Sequence, residues 1–304
     1  MDDPQIAFDN GPFAALQRAN HFNQIGRHDL AERELRSALA RYPQEPDLHV
    51  QLGWALDGQG RALEAEAEGL SALQLDPQAV RAMALLAKLR MDQGKHQQAE
   101  QFCLDALRLA PENPYLYLIY GSLMQKTGHL EKAEKLMRRC LELDPENSHA
   151  HGALGVILAE RRQAAAAKAH GQLGVHVDPD SDHSHAMLGH TYLMTGHPFK
   201  ARAHLREALR LDPSPWTEEM FLAADRATRW IYLPMYFWSL WIDRLPGKQF
   251  AVWGVMLVLF QVMKGMGAPP VIRALFALTY ILFCIYTWVA EPLTTAWIKM
   301  RPPR

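Results

Sequence analysis

The chain has 304 residues, 49% of them hydrophobic, which gives room for two ordinary domains and a sizeable core. A formal net charge of −1 hides a division: up to Pro215 there are 28 acidic and 23 basic residues, and from Trp216 onward 5 and 9. The acidic excess, with no dense basic stripe, argues against nucleic-acid binding, and three scattered cysteines (Cys103, Cys140 and Cys284) exclude a disulfide framework or a paired-cysteine zinc site.

Residues 1–11 read as an N-terminal extension. The stretch from Met1 to His21 is acidic and has no basic segment followed by an apolar run, so it does not resemble a secretory signal, and a reducing, cytosolic location is expected for the region after it. From residue 12 to 215 the dominant signal is a period. Prolines stand at Pro43, Pro77, Pro111, Pro145, Pro179 and Pro213, each 34 residues after the last. Small residues keep the same frame: Ala31, Ala65, Ala99, Ala133, Ala167 and Ala201 in one row, and Ala38, Ala72, Ala106, Cys140, Gly174 and Ala208 in a second. Ala19, Gly53, Ala87, Gly121, Gly155 and Gly189 make a third.

Two antiparallel helices can approach closely only where small side chains sit at the crossing. Larger ones fill the space around it: Leu52, Leu86, Leu154 and Leu188 in the first helices, and Leu39, Leu73, Leu107, Leu141 and Leu209 in the second. Gly26, Gly60, Gly94, Gly128 and Gly196 mark the turn inside each pair, since glycine reaches the left-handed conformation that ends a helix. The fifth repeat has Arg162 at that place, and Gly171 and Gly174 inside its second helix predict a soft point over 164–177.

This pattern resembles the tetratricopeptide repeat family over residues 12–215. The resemblance implies an all-α fold, a six-repeat superhelix (an α-solenoid), whose first helices line a concave wall that takes an extended peptide or a helix. On that wall would stand Phe13, Asp47, Arg81, Tyr115, His149 and His183, and beside them Asn20, Trp54, Lys88, Ser122, Val156 and His190. Asn20, Asp47, Trp54, Arg81, Lys88, Tyr115, His149, His183 and His190 are the candidate partner-binding residues. Trp54 and Tyr115 would anchor, and Arg81 and Lys88 would pair with acidic groups. Chaperone-binding members hold a carboxylate with lysine, asparagine and arginine; Asn20 and Arg81 match loosely, but Leu16 and Val50 stand where the first lysine should be.

After the repeats, Ser214 and Pro215 open a capping helix over 216–229, expected to bury Trp216, Met220, Ala224 and Ala227 and to turn Glu218, Glu219, Asp225 and Arg229 largely away. Residues 230–248 begin with six aromatics in thirteen, too short to cross a bilayer at 1.5 Å per residue and suited to the headgroup layer. Two apolar runs, 249–263 and 274–290, then predict a transmembrane hairpin over 249–298, closed by a break around Pro269 and Pro270, with a basic tail over 299–304. Basic residues flank its two outer ends more densely than its connection, which places both termini in the cytosol. The arrangement looks like that of bacterial inner-membrane tetratricopeptide proteins.

No phosphate loop, dinucleotide motif, zinc-protease signature or nucleophile elbow occurs. The histidines at 149, 151, 183, 185 and 190 raise the thought of a metal, but a two-residue spacing turns side chains to different faces of a helix, and packing explains them better. No enzyme activity, cofactor or metal is therefore expected. The expected function is a membrane-anchored interaction scaffold on the cytosolic face of a bacterial inner membrane, with protein partners in its groove and lipid, or a membrane-protein complex, around its hairpin. The alternatives are a tail-anchored organelle receptor or co-chaperone, and an accessory subunit of an integral-membrane enzyme.

Overall fold

The computed structural model describes residues 11–229, 232–233, 236–237, 240, 258–266 and 269–282, and every regular element among them is a helix. The chain divides into two compact units, 1–150 and 151–304, with the division inside a helix. The first unit contains α1 (Pro12–Gln24), α2 (His28–Leu39), α3 (Pro46–Gly58), α4 (Ala62–Leu75), α5 (Val80–Asp92), α6 (His96–Leu109), α7 (Pro114–Lys126) and α8 (Leu130–Leu143). After α9 (Ser148–Glu160), which spans the division, the second unit contains α10 (Ala164–Val177), α11 (Asp182–Met194), α12 (Pro198–Leu211) and α13 (Pro215–Thr228), then α14 (258–265) and α15 (270–282).

In the first unit each odd-numbered helix packs on the even one after it, each even helix packs on the next odd one, and α1, α3, α5 and α7 touch in succession. In the second, α10 packs on α11, α11 on α12 and α12 on α13. The turns between paired helices share one geometry. The turn glycine takes a left-handed φ of 70–85°, and the next residue's N–H closes back on a carbonyl five residues earlier, as in Arg61 to Leu56 (2.9 Å) and His197 to Tyr192 (2.8 Å). Arg162 adopts the same turn with φ 64°, and Gln163 makes the same bond to Leu158 (2.8 Å). The fifth repeat thus keeps the turn without the glycine, at a steric cost on Arg162.

The small-residue rows lie where helices cross. Every alanine of the row from Ala31 to Ala201 is fully buried, and Gly53, Gly155 and Gly189 of the third row lie against Ala65, Ala167 and Ala201. A Cβ placed on Gly155 would stand 3.0 Å from the Ala167 carbonyl and 3.1 Å from the Gly171 nitrogen; on Gly189 it would stand 2.6 Å from Leu205 Cγ. Gly171 therefore has a packing reason: it lets the α9 backbone approach α10, which sets a specific contact against the helix-propensity loss expected to soften that segment. Leu52, Leu86, Leu154 and Leu188 are buried as expected, and the second-helix leucines are half-buried. Cys103 and Cys140 are free and buried; burial pushes their thiols up to about 12 and about 11, so they pack as small apolar groups.

Helix α13 starts where the sequence indicates, with the Ser214 side chain accepting from the Thr217 N–H at 3.2 Å. It covers the last repeat by placing Phe221 and Ala224 against Leu188, Tyr192 and Leu205. Asp225 corrects the expectation that it faces away: it is fully buried, held by Arg202 from α12 and by Arg229 at 2.7 Å. Two guanidiniums compensate the carboxylate, which is what makes the burial tolerable. Trp216, expected inside, is 40% exposed.

Of the segment expected in a headgroup layer, Tyr236, Phe237 and Leu240 lie against the last repeat. The buried Tyr236 hydroxyl donates to the Leu193 carbonyl, and Leu240 and Phe237 stand within 4 Å of where a Gly196 Cβ would be. Further on, α15 begins at Pro270, where the break was expected. Among the described residues no helix is long and apolar enough to cross a membrane. The ends of the expected hairpin (249–257 and 283–298), its connection at 267–268, the basic tail and residues 1–10 lie outside the described residues.

Replacing Asp225 by alanine leaves Arg202 and Arg229 facing each other at the cap and should cost about 3–5 kcal/mol, as loss of one partner of a buried pair does. Hydrogen exchange should then become faster in α12 and α13 first. Unchanged exchange there would mean that the apolar contacts of Phe221 alone hold the cap.

Candidate partner-binding groove

Three of the expected groove residues meet in the first unit. Trp54 on α3, Arg81 on α5 and Tyr115 on α7 line one cavity of about 240 Å³, together with Val80, Ala84, Asn113 and Leu116. Successive first helices place them there: Arg81 and Tyr115, 34 residues apart, hold equivalent positions on α5 and α7, and Trp54 stands two turns beyond their equivalent on α3, Asp47. The Trp54 and Tyr115 rings meet edge to face, with centroids 6.1 Å apart and planes at 68°. Such a pair contributes about 0.5–1.5 kcal/mol beyond its buried area. Asn113 caps α7 by accepting from the Tyr115 N–H (3.0 Å), which fixes where that ring leaves the helix.

The two aromatics differ in what else they do. Tyr115 is 41% exposed, while desolvation of its phenol, aided by the Asp57 carboxylate, pushes its pKa up to about 12. Trp54 is half-buried and packs against two clusters of the core, one including Leu52 and Leu85, the other Val50, Ala72 and Ala82. It is a wall of the cavity and a part of the fold together.

The charges also divide. Arg81 is half-exposed and meets Asp47 at 3.4 Å, at the outer limit of a hydrogen bond. Lys88 is held at 2.6 Å by Asp57 and 3.0 Å by Asp92. Burial works against its charge, but the bonds to Asp57 and Asp92 outweigh burial and raise its pKa above the usual lysine value. Lys88, expected to pair with a partner's acid, is thus bonded within the chain to Asp57 and Asp92. Asp57 and Asp92 were missed in sequence, although Asp92 stands four residues beyond Lys88, the spacing of a helical ion pair.

The remaining candidates do not line this cavity. Asn20 sits half-buried on α1 and His149 is exposed at the start of α9. His183 and His190 belong to the second unit, where His190 is half-buried and meets Trp216 edge to face at 6.0 Å. Desolvation lowers the His190 pKa, which keeps the ring neutral. Among the described residues no group of three or more histidine, cysteine, aspartate or glutamate side chains is placed to hold a metal ion.

Tetratricopeptide repeat models match residues 16–80, 91–157 and 182–215, together more than half of the chain. The chain belongs to the tetratricopeptide repeat family. Similar solved structures include a chain of the APC/C hetero-tetramer Cut9-Hcn1, with TM-score 0.60 and 16% identity over 72% of this chain and 44% of that one. Another is pilF of Pseudomonas aeruginosa, with TM-score 0.51 and 20% identity over 69% of this chain and 96% of that one. At these identities the likeness is one of fold, and this chain spans less than half the length of its counterpart in the Cut9-Hcn1 assembly. No curated protein matches the sequence. Tetratricopeptide repeats imply a scaffold for protein–protein interaction, and proteins built from them are in general not enzymes.

Because Trp54 is part of two core clusters, Trp54→Ala should destabilise the first unit by about 3 kcal/mol, near the low end for loss of a large aromatic. Tyr115→Ala should cost under about 1 kcal/mol, since it forfeits little beyond the ring pair. Chemical denaturation of the two variants checks this. Equal losses would mean that Tyr115 also belongs to the core.

Proposed function

We propose that this tetratricopeptide protein is a membrane-anchored adaptor on the cytosolic face of a bacterial inner membrane, which takes an extended peptide or a helix of a protein partner in the groove of its first unit. The observation that carries the reading is the cavity at Trp54, Arg81 and Tyr115, an aromatic-walled recess with one loosely paired cation at its edge. A large apolar side chain of the partner fills the recess, and an acidic group near it displaces Asp47 from Arg81. Support for the anchor comes from α14 and α15, where Val258, Leu259, Val262, Ile272, Leu275 and Ile281 are all about half-exposed or more. Apolar side chains open on so many faces of two adjacent helices suit surroundings of lipid better than water. The cytosolic orientation rests on the excess of basic residues at the outer ends of that segment.

Two measurements on the full-length protein test the two halves of the reading separately. Alkaline carbonate washing should leave it in the membrane pellet, and release into the wash would remove the anchor. Partner recovery from native membranes should fall by about tenfold or more for Tyr115→Ala, as for loss of an interface anchor, and fall for Arg81→Glu at unchanged stability. Unaltered recovery with both variants would place the partner elsewhere on the repeats.

A further inference from the structure

One contact recurs between the two helices of a repeat. Residues 19 apart, at the same place in the 34-residue unit, set His49 Nδ1 against Glu68 Oε2 (2.6 Å), His151 Nδ1 against His170 Nδ1 (3.2 Å) and His185 Nδ1 against His204 Nδ1 (3.1 Å). In the first case a base faces an acid. In the other two a base faces a base.

The proton count differs accordingly. The Nε2 of His185 lies 3.0 Å from the Pro179 carbonyl, and the Nε2 of His49 lies 3.2 Å from the Pro43 carbonyl; a carbonyl only accepts, so both Nε2 atoms carry hydrogen. The Nδ1 of neutral His185 is then bare and accepts from the His204 Nδ1–H. A proton added to His49 lets both of its nitrogens donate, one of them to a carboxylate. Protonating both members of a histidine pair instead leaves two Nδ1–H groups and two positive charges pointing at each other.

The surroundings of His204 favour the neutral state. Its ring stacks on Tyr192 of α11 (5.6 Å, 23°), whose hydroxyl accepts from Gln172 of α10 at 3.0 Å, and the Lys200 ammonium lies 5.5 Å from the centre of the same tyrosine ring. His197 meets Tyr192 from the turn at 5.9 Å. A carboxylate near His185, Glu207, is hydrogen-bonded to Arg210 at 2.6 Å. Burial, then His185 and Lys200, lower the His204 pKa.

We propose that the His185–His204 pair makes repeat six an acid-released latch: at neutral pH a shared proton ties its two helices, and in acid a second charge on the pair loosens them, while the His49–Glu68 contact holds. In the unfolded chain both imidazoles titrate near 6.5 and take two protons. The folded pair resists the second, so the unfolded state binds more protons, and stability is lost as the pH falls below about 6.5 and is fully present above it. The latch matters because α11 and α12 hold the C-terminal segments in place, through Arg202 to Asp225 of the cap and through Leu193 to Tyr236 of the tail.

Hydrogen exchange of the full-length protein at about pH 7.5 and about pH 5.5, corrected for the intrinsic rate, tests this. Protection of 182–211 should drop several-fold in acid, while 46–75 keeps its protection. His204→Gln, which keeps a hydrogen-bonding group but cannot titrate, should make 182–211 insensitive to pH over this range. His204→Glu should reverse the trend by recreating the His49–Glu68 pairing. Equal protection of 182–211 at both pH values, an equal loss in 46–75, or an acid loss undiminished in His204→Gln would each overturn the proposal.

Discussion

Close approach of backbones at the helix crossings is the constraint on which the rest depends. Gly155 comes so near Ala167 and Gly171 that a single methyl would meet main-chain atoms, and one on Gly189 would meet the Leu205 side chain and stand close to the Ala201 carbonyl. Main chain cannot yield as a flexible side chain can, so these positions fix how far apart the paired helices lie. The surrounding leucines then fill a space of set width, and the turn between helices must close in the left-handed conformation that Arg162 shares with five glycines. Once that spacing repeats every 34 residues, equivalent residues of α3, α5 and α7 fall side by side. The cavity at Trp54, Arg81 and Tyr115 lies where these three helices run side by side.

The groove is also shaped by what the fold neutralises. Lys88, enclosed by Asp57 and Asp92, and the Asp225 carboxylate, enclosed by Arg202 and Arg229, are charges consumed by the structure itself. Arg81 keeps only a long contact with Asp47. A positive residue in the groove is thus a poor guide to recognition until its internal partners are known, because a buried, paired cation gains little by exchanging one carboxylate for another.

The period, the small rows, the turn glycines and the start of the cap were all legible in the sequence, since each is a local consequence of helix geometry at a fixed spacing. The frame also put Trp54 and Tyr115 on the same wall, although in different rows, so the meeting of their rings is seen only in the structure. What escaped was pairing across helices. Asp225 reads as an outward-facing charge until Arg202, on another helix, is seen to reach it. His185 and His204 lie 19 residues apart, and their contact depends on the width of the α11–α12 gap rather than on any motif. The aromatic run after Arg229 showed composition without contacts: that Tyr236 is buried and donates to the Leu193 carbonyl is visible only in the structure.

The central claim is that one face of this tetratricopeptide array, at the Tyr115 cavity, receives a protein partner. A photo-activated cross-linking residue placed at position 115 in the full-length protein, with the same residue at the exposed position 63 of α4 as control, tests it in native membranes. The account predicts a discrete protein adduct from position 115 that is absent from position 63. No adduct from 115, or the same adducts from both positions, would contradict it.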